Sequence, residues 1–218
     1  MLLKSLREQV LEACLQMLAD GFSNISEGNV SARDPKSGLI AISPTAIPYL
    51  ALRPKDVCVI DSTGKQIKGK WLPTSELTLH TAIYSRRPDV NAVLHTHASY
   101  ANVFAATGQA LPVVLTESAM LLGGEVPVAP YRTPGSAELA GVTADALGAG
   151  AAVLMVQHGL ITVGDDLGSA YLATLAVEPC ARVVCLARAM NAPLNLLPPE
   201  EIAALRSAYL ENYHPIKA

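Results

Sequence analysis

The chain has 218 residues, half of them hydrophobic, enough to bury one sizeable core, so a single domain over 1–218 is expected. Sixteen basic against nineteen acidic residues leave a net charge of −3, so no basic field attracts nucleic acid or an anionic membrane. The four cysteines Cys14, Cys58, Cys180 and Cys185 form no Cys-x-x-Cys pair, and three sit among apolar residues in periodic segments, as buried thiols of a reducing compartment do. Charges at Lys4, Arg7 and Glu8 interrupt the N-terminus too early for a signal peptide. No uninterrupted apolar stretch approaches the roughly 20 residues of a spanning helix. A soluble, cytoplasmic protein with neither nucleic-acid nor membrane partners is the expectation.

In chain order, Leu3, Leu6, Val10, Leu11, Cys14, Leu15 and Leu18 recur at helical spacing and predict an amphipathic helix over 3–20, stopped by Gly21. Short strand-like pieces follow at 30–33, 39–43, 57–61 and 66–70, separated by Ser-Gly, Asp-Pro and Thr-Gly turn signals. Thr74-Ser75-Glu76 can cap a helix running through Arg86. A strand at 92–97 precedes a helix near 99–106. A second passage runs from Thr116 through a strand at 126–130 to a helix at 136–147. Strands at 151–157 and 160–163 lead into a long helix from about 166 to 190, which Pro179 should kink or break. A last helix covers about 199–211. Strands and helices mixed without regular βαβ alternation predict an α/β fold, a three-layer α/β/α sandwich around a mostly antiparallel central sheet.

The chemistry concentrates at Ala92-Val93-Leu94-His95-Thr96-His97. Side chains two apart on a strand leave the same face, roughly 6.5 Å apart along the chain. Two imidazoles so placed can bend toward one cation, each giving a nitrogen at about 2.0–2.1 Å. His158 ends another apolar run, Val153-Leu154-Met155-Val156-Gln157-His158-Gly159. Three neutral nitrogen ligands with one position left open are the pattern of a catalytic zinc site. A lone histidine is more often a hydrogen-bonded core residue; the His-x-His pair together with a strand-end His-Gly favours metal.

Gly28-Asn29-Val30-Ser31, Ser43-Pro44-Thr45-Ala46-Ile47-Pro48-Tyr49, Pro73-Thr74-Ser75-Glu76, the His95-x-His97 strand and Gln157-His158-Gly159 occur in the order and spacing of one family. In these motifs the chain resembles the class II aldolases along essentially its whole length. The resemblance implies an α/β/α sandwich and a homotetramer with active sites at subunit interfaces. It implies a metal held by His95, His97 and His158, with Glu76 as a further ligand when no substrate is bound. Histidine-rich ligation suits Zn2+ and also Mn2+, Fe2+ or Co2+.

The implied reaction is reversible cleavage of a ketose 1-phosphate, such as fuculose 1-phosphate, into dihydroxyacetone phosphate and a short aldehyde. Cleavage leaves negative charge on the three-carbon fragment, which a Lewis acid stabilises. Glu76 is the candidate to move the proton at carbon, although a first-turn acid is also favoured by the helix dipole alone. His80, four residues on and on the same helical face, matches no motif and reads as structural or supporting. The anion is expected on turn N–H groups and small hydroxyls at Ser26, Gly28, Asn29, Thr45, Ala46, Thr74 and Ser75, each of which is also an ordinary turn or cap residue.

Three departures stand out. Glu27 places a carboxylate where the family usually has a small residue, and Ala46 replaces a glycine. Members that cleave fuculose phosphate take a tyrosine from the neighbouring subunit, in the segment corresponding to Val113–Met120. Here Glu117 is the only titratable group in that segment. Glu117 is thus the candidate acid or base there, with an ordinary helix-start acid as the bland alternative. Tyr213 matches the family's tail and would cover the site from an adjacent chain. Within the family the alternative is an L-ribulose-5-phosphate 4-epimerase, or a related dehydratase or decarboxylase. Epimerases typically carry aspartate at the position of Glu76, which favours cleavage. A non-catalytic scaffold like the head region of adducin would have lost the histidines, and all three are present.

Overall fold

The computed structural model describes residues 1–212, so Tyr213 lies outside the described residues. Helix α1 (Lys4–Ala19) buries Val10, Leu11 and Cys14 of the stripe that the spacing predicted, leaves Leu6, Leu15 and Leu18 half-buried at its margin, and buries Met17 as well. Eight strands then form one sheet: β1 (Asn29–Arg33), β2 (Ile40–Ile42), β3 (Cys58–Ile60), β4 (Gln66–Lys68), β5 (Ala92–Thr96), β6 (Val128–Ala129), β7 (Ala152–Met155) and β8 (Gly159–Gly164). Their spatial order is β4-β3-β2-β1-β5-β8-β7-β6. Every pairing is antiparallel except β6 with β7, as the mostly antiparallel reading required. The remaining helices are α2 (Leu77–Arg86), α3 (Ser99–Thr107), α4 (Thr116–Leu122), α5 (Ala137–Leu147), α6 (Leu167–Ala189) and α7 (Pro199–Asn212).

Strand alternation divides the apolar residues into two cores and so builds the three layers. Ala92 and Leu94 of β5 join α1, α3 and α6 on one side of the sheet. Val93, between them, joins α2 and α5 on the other. The odd-numbered residues of β5 therefore face α2, and His95 continues that face beyond Val93. Across the sheet His95 stands between Asn29 of β1 and Ile161 of β8.

Helix α2 starts three residues later than Thr74. Thr74 N–H donates to the Ser43 carbonyl at 3.0 Å, and Pro44 and Pro73 pair as a bridge, which holds that segment extended. Glu76 becomes the residue immediately before the helix. Strand β7 ends at Met155 rather than 157, because Gln157 takes a left-handed backbone with φ of 56°. His158 thus sits in the β7–β8 hairpin turn instead of on a strand.

Pro179 does not break α6, which runs for 23 residues. Its ring removes one helical hydrogen bond, worth about 3 kcal/mol with the clash. Buried Ala176, Val177, Cys180, Ala181 and Val184 on both sides of the proline anchor the helix to the sheet and offset that loss. Among the described residues, α6 alone is long and apolar enough to cross a membrane; here those burials seat it as a core helix.

Glu178 of α6 accepts hydrogen bonds from the N–H groups of Tyr100 and Ala101 at 2.8–3.1 Å, closing the start of α3. Glu178→Ala is expected to lower stability by about 1–2 kcal/mol, read as a shifted urea midpoint. The four cysteines are unpaired. Burial pushes the Cys14 thiol up to about 12 and the Cys58 thiol up to about 11, so both are unreactive core residues.

Candidate metal centre

Three imidazoles from separate parts of the sequence converge beside α2. The ring centroids of His95 lie 4.8 Å from those of His97 and 4.7 Å from those of His158. One nitrogen from each ring lies within 4.8 Å of the others. Two glycines make the approach possible. Gly28 has φ of +72°, and a Cβ there would collide with the His95 carbonyl. A Cβ on Gly159 would stand 2.6 Å from the Thr96 carbonyl and 2.8 Å from His95 Cε1.

Glu76 lies between two of the rings. Its Oε2 is 3.2 Å from His95 Nε2 and its Oε1 is 3.2 Å from His158 Nε2. His95 Nδ1 donates to the Leu160 carbonyl at 3.1 Å, which leaves Nε2 as a bare lone pair. That lone pair faces His97 Nε2 at 3.0 Å. Glu76 Oε1 is buried and makes no hydrogen bond. Lone pairs on convergent nitrogens, with a carboxylate oxygen otherwise unpartnered, repel one another unless a cation lies among them. This donor set fits a divalent transition ion.

The surroundings push these groups away from their ordinary ionisation. Burial lowers His95 to about 4, against the opposing pull of the Glu76 charge. Burial also lowers His97. Burial raises Glu76, but His95, His158 and the Asn29 N–H together outweigh it and hold the carboxyl below its usual range. His95 and His97 are therefore neutral and the carboxylate ionised near neutral pH, the forms that bind metal.

The centre forms one wall of a cavity of about 240 Å³. All seven candidates for anion binding, Ser26, Gly28, Asn29, Thr45, Ala46, Thr74 and Ser75, line it with Glu76 and the three histidines. Ala46 sits there with φ of 57°, a left-handed conformation that costs an alanine about 1–2 kcal/mol. That conformation is the physical reason a glycine suits this position. Glu27 lines the cavity too, with its Oε2 3.8 Å from His97 Nδ1, and so points toward the centre rather than away. Asn29 has its side-chain oxygen and an N–H engaged with His80 and Glu76, which leaves one N–H for a ligand.

Pro44, within one of the matching motifs, lines the cavity, as does Pro134, which no motif marked. The Pro134-Gly135-Ser136 turn was the available signal, since Ser136 caps α5 by accepting from Leu139 N–H at 3.1 Å. Glu117 lies elsewhere within the chain. It is exposed in the first turn of α4, accepts a hydrogen bond from Thr116 Oγ1 at 3.1 Å, and does not line the cavity.

A three-layer α/β/α scaffold that gathers three imidazoles and a carboxylate at a polar cavity is the framework of a metal-binding enzyme. Comparison with known proteins specifies it further. The Class II Aldolase and Adducin N-terminal domain matches residues 8–185. An L-fuculose phosphate aldolase of Escherichia coli (strain K12) is 36% identical over 200 residues, 92% of each chain. A 5-deoxy-D-ribulose 1-phosphate aldolase of Bacillus thuringiensis serovar kurstaki is 34% identical over 209 residues, 96% of this chain and 97% of that one. An L-ribulose-5-phosphate 4-epimerase of Salmonella paratyphi B is 30% identical over 204 residues, 88% of this chain and 90% of that one. A solved L-fuculose 1-phosphate aldolase superposes with a TM-score of 0.91 at 30% identity, covering 94% of this chain and 96% of that one. The chain belongs to the class II aldolase family and is an enzyme of the aldolase type.

Proposed function

We propose that this enzyme reversibly cleaves a ketose 1-phosphate, of the fuculose or 5-deoxyribulose kind, into dihydroxyacetone phosphate and a short aldehyde such as lactaldehyde. The observation that carries the reading is the Glu76 carboxylate, 3.2 Å from both His95 and His158 at the wall of a polar cavity. His95, His97 and His158 would hold the ion, with Glu76 as a further ligand. A bound divalent cation, Zn2+ in this reading and Mn2+, Fe2+ or Co2+ as alternatives, supplies Lewis-acid stabilisation of the charge left on the three-carbon fragment.

Glu76, ionised and buried, takes and returns the proton at the carbon where the bond forms or breaks. Backbone N–H groups of the Gly28 and Ala46 turns, with the hydroxyls of Ser26, Thr45, Thr74 and Ser75, hold the phosphate. Every positive group these residues do not supply must come from elsewhere, and Glu27 limits how much negative charge the cavity tolerates. Glu117 and Tyr213 act at the aldehyde end from neighbouring chains of a homotetramer, which accounts for the distance of Glu117 from its own cavity. The four unpaired thiols suit a cytoplasmic setting.

The second reading is 4-epimerisation of a ketose 5-phosphate, favoured by the epimerase relative and by the metal centre that both reactions use. Glutamate at position 76, where epimerases typically carry aspartate, supports cleavage instead. Metal-loaded enzyme incubated separately with fuculose 1-phosphate, rhamnulose 1-phosphate, 5-deoxyribulose 1-phosphate and ribulose 5-phosphate decides between them. Triose phosphate released from one of the 1-phosphates is expected. An epimeric pentulose phosphate without triose phosphate would overturn the cleavage reading.

A further inference from the structure

Behind Glu76 runs a buried line of polar groups that the metal site does not use. Asn29 Nδ2 donates to Glu76 Oε2 at 2.8 Å, and Asn29 Oδ1 meets His80 Nε2. His80 Nδ1 lies 2.6 Å from Ser31 Oγ, and Ser31 Oγ lies 2.8 Å from the Tyr84 hydroxyl. His80 and Ser31 are fully enclosed, and Asn29, Glu76 and Tyr84 are at most 6% exposed. Asn29 and Ser31 are alternate residues of β1 facing α2; His80 and Tyr84 are one turn apart on α2.

The chemistry of the groups sets the direction of every bond. An ionised Glu76 has no proton to give, so Asn29 must present its NH2 group there. The amide oxygen then faces His80 and can only accept, so His80 Nε2 must carry the ring proton. Nδ1 is left as a lone pair, which accepts from the Ser31 hydroxyl. The Ser31 oxygen accepts in turn from Tyr84. Five groups thus form a one-way chain that ends by delivering a donor to one carboxylate oxygen of Glu76.

We propose that His80 is a positioning residue for catalysis: through Asn29 it fixes the Glu76 carboxylate between His95 and His158. The proposal rests on the reading of Glu76 as the proton carrier. Without a donor at position 80, the buried Asn29 oxygen has no partner and the amide is free to turn over. Its oxygen would then face the carboxylate, and Glu76 would be driven from the line between the two rings.

Two experiments test the role. In zinc-loaded protein labelled with 15N-histidine, long-range 1H–15N correlations should show His80 as the neutral Nε2–H tautomer at pH 7. An Nδ1–H or cationic ring overturns the proposal. His80→Phe should keep one zinc per chain and lose at least about tenfold in kcat with KM within about threefold, while His80→Gln, which retains a donor, should recover most of kcat. Full turnover in folded, zinc-loaded His80→Phe overturns the role. If Glu76→Gln is inactive in that case, the functional reading survives; if Glu76→Gln is also fully active, that reading fails instead. The tautomer is read on the unaltered chain, so it decides the matter should His80→Phe not fold.

Discussion

Glu76→Gln is expected to retain the metal and lose roughly a hundred- to ten-thousand-fold in turnover, the range typical of a removed general acid or base. Glutamine has nearly the same shape, and its side-chain oxygen can still accept from Asn29 Nδ2, so the burial and the path of the chain are preserved. What disappears is the ability to take up and return a proton at a neutral site. The three imidazoles are untouched, and their nitrogens would still be there to hold an ion. Elemental analysis of the variant should find about as much metal as in the parent, and steady-state assays should place the loss in kcat. Unchanged turnover with full metal would move the proton-transfer role to another residue.

The metal-free protein should weaken steeply in mild acid. Burial lowers His80 to about 3, and lowers His95 to about 4, from an ordinary 6.5. As pH falls below 6.5 the unfolded chain takes up a proton at each position while the folded chain does not. The unfolded state therefore binds more protons, and stability falls with pH. The contribution is complete above pH 6.5 and drains away between 6.5 and about 4, with the His80 part continuing toward 3. Each group supplies a slope of at most about 1.4 kcal/mol per pH unit, so the pair approaches about 2.7. Glu76, held below its usual range, adds a loss of the same sign in stronger acid. Urea unfolding in chelator at pH 7, 6 and 5 should show midpoints falling progressively faster; a flat series would mean that these rings are not buried neutral.

Much of the layered fold is written in local periodicity. The stripe from Leu6 to Leu18 needs no partner to be recognised as a helix face, and the alternation of Val93 and Leu94 between the two cores follows from strand geometry alone. The three histidines are equally plain, as a His-x-His pair after one apolar run and a His-Gly at the end of another. Where periodicity and tertiary pairing compete, pairing wins. Thr74 looks like a cap, but its bond to Ser43 keeps it extended, and the helix starts at Leu77 with Glu76 before it. Pro179 looks like a terminus, but burial on both sides carries α6 through it. The line from Tyr84 to Asn29 was illegible for a different reason. Its members lie about fifty positions apart, and nothing local to His80 announces that β1 will pass beside it. Glu117 stood out chemically from its segment, yet the segment packs against α6 and α7 and leaves Glu117 exposed outside the cavity.

The placement of Asn29, His95 and Ile161 side by side on three adjoining strands has an implication for how the enzyme matures. A slip by a single residue of β1 against β5 would bring Val30 opposite His95 and turn Asn29 toward the wrong layer. Glu76 would lose its donor, while His95, His97 and His158, carried by β5 and the β7–β8 turn, would stay together. Correct zipping of β1 is thus expected to show in turnover rather than in metal content: a misaligned chain could still take up an ion at the three imidazoles yet would lack the positioned carboxylate.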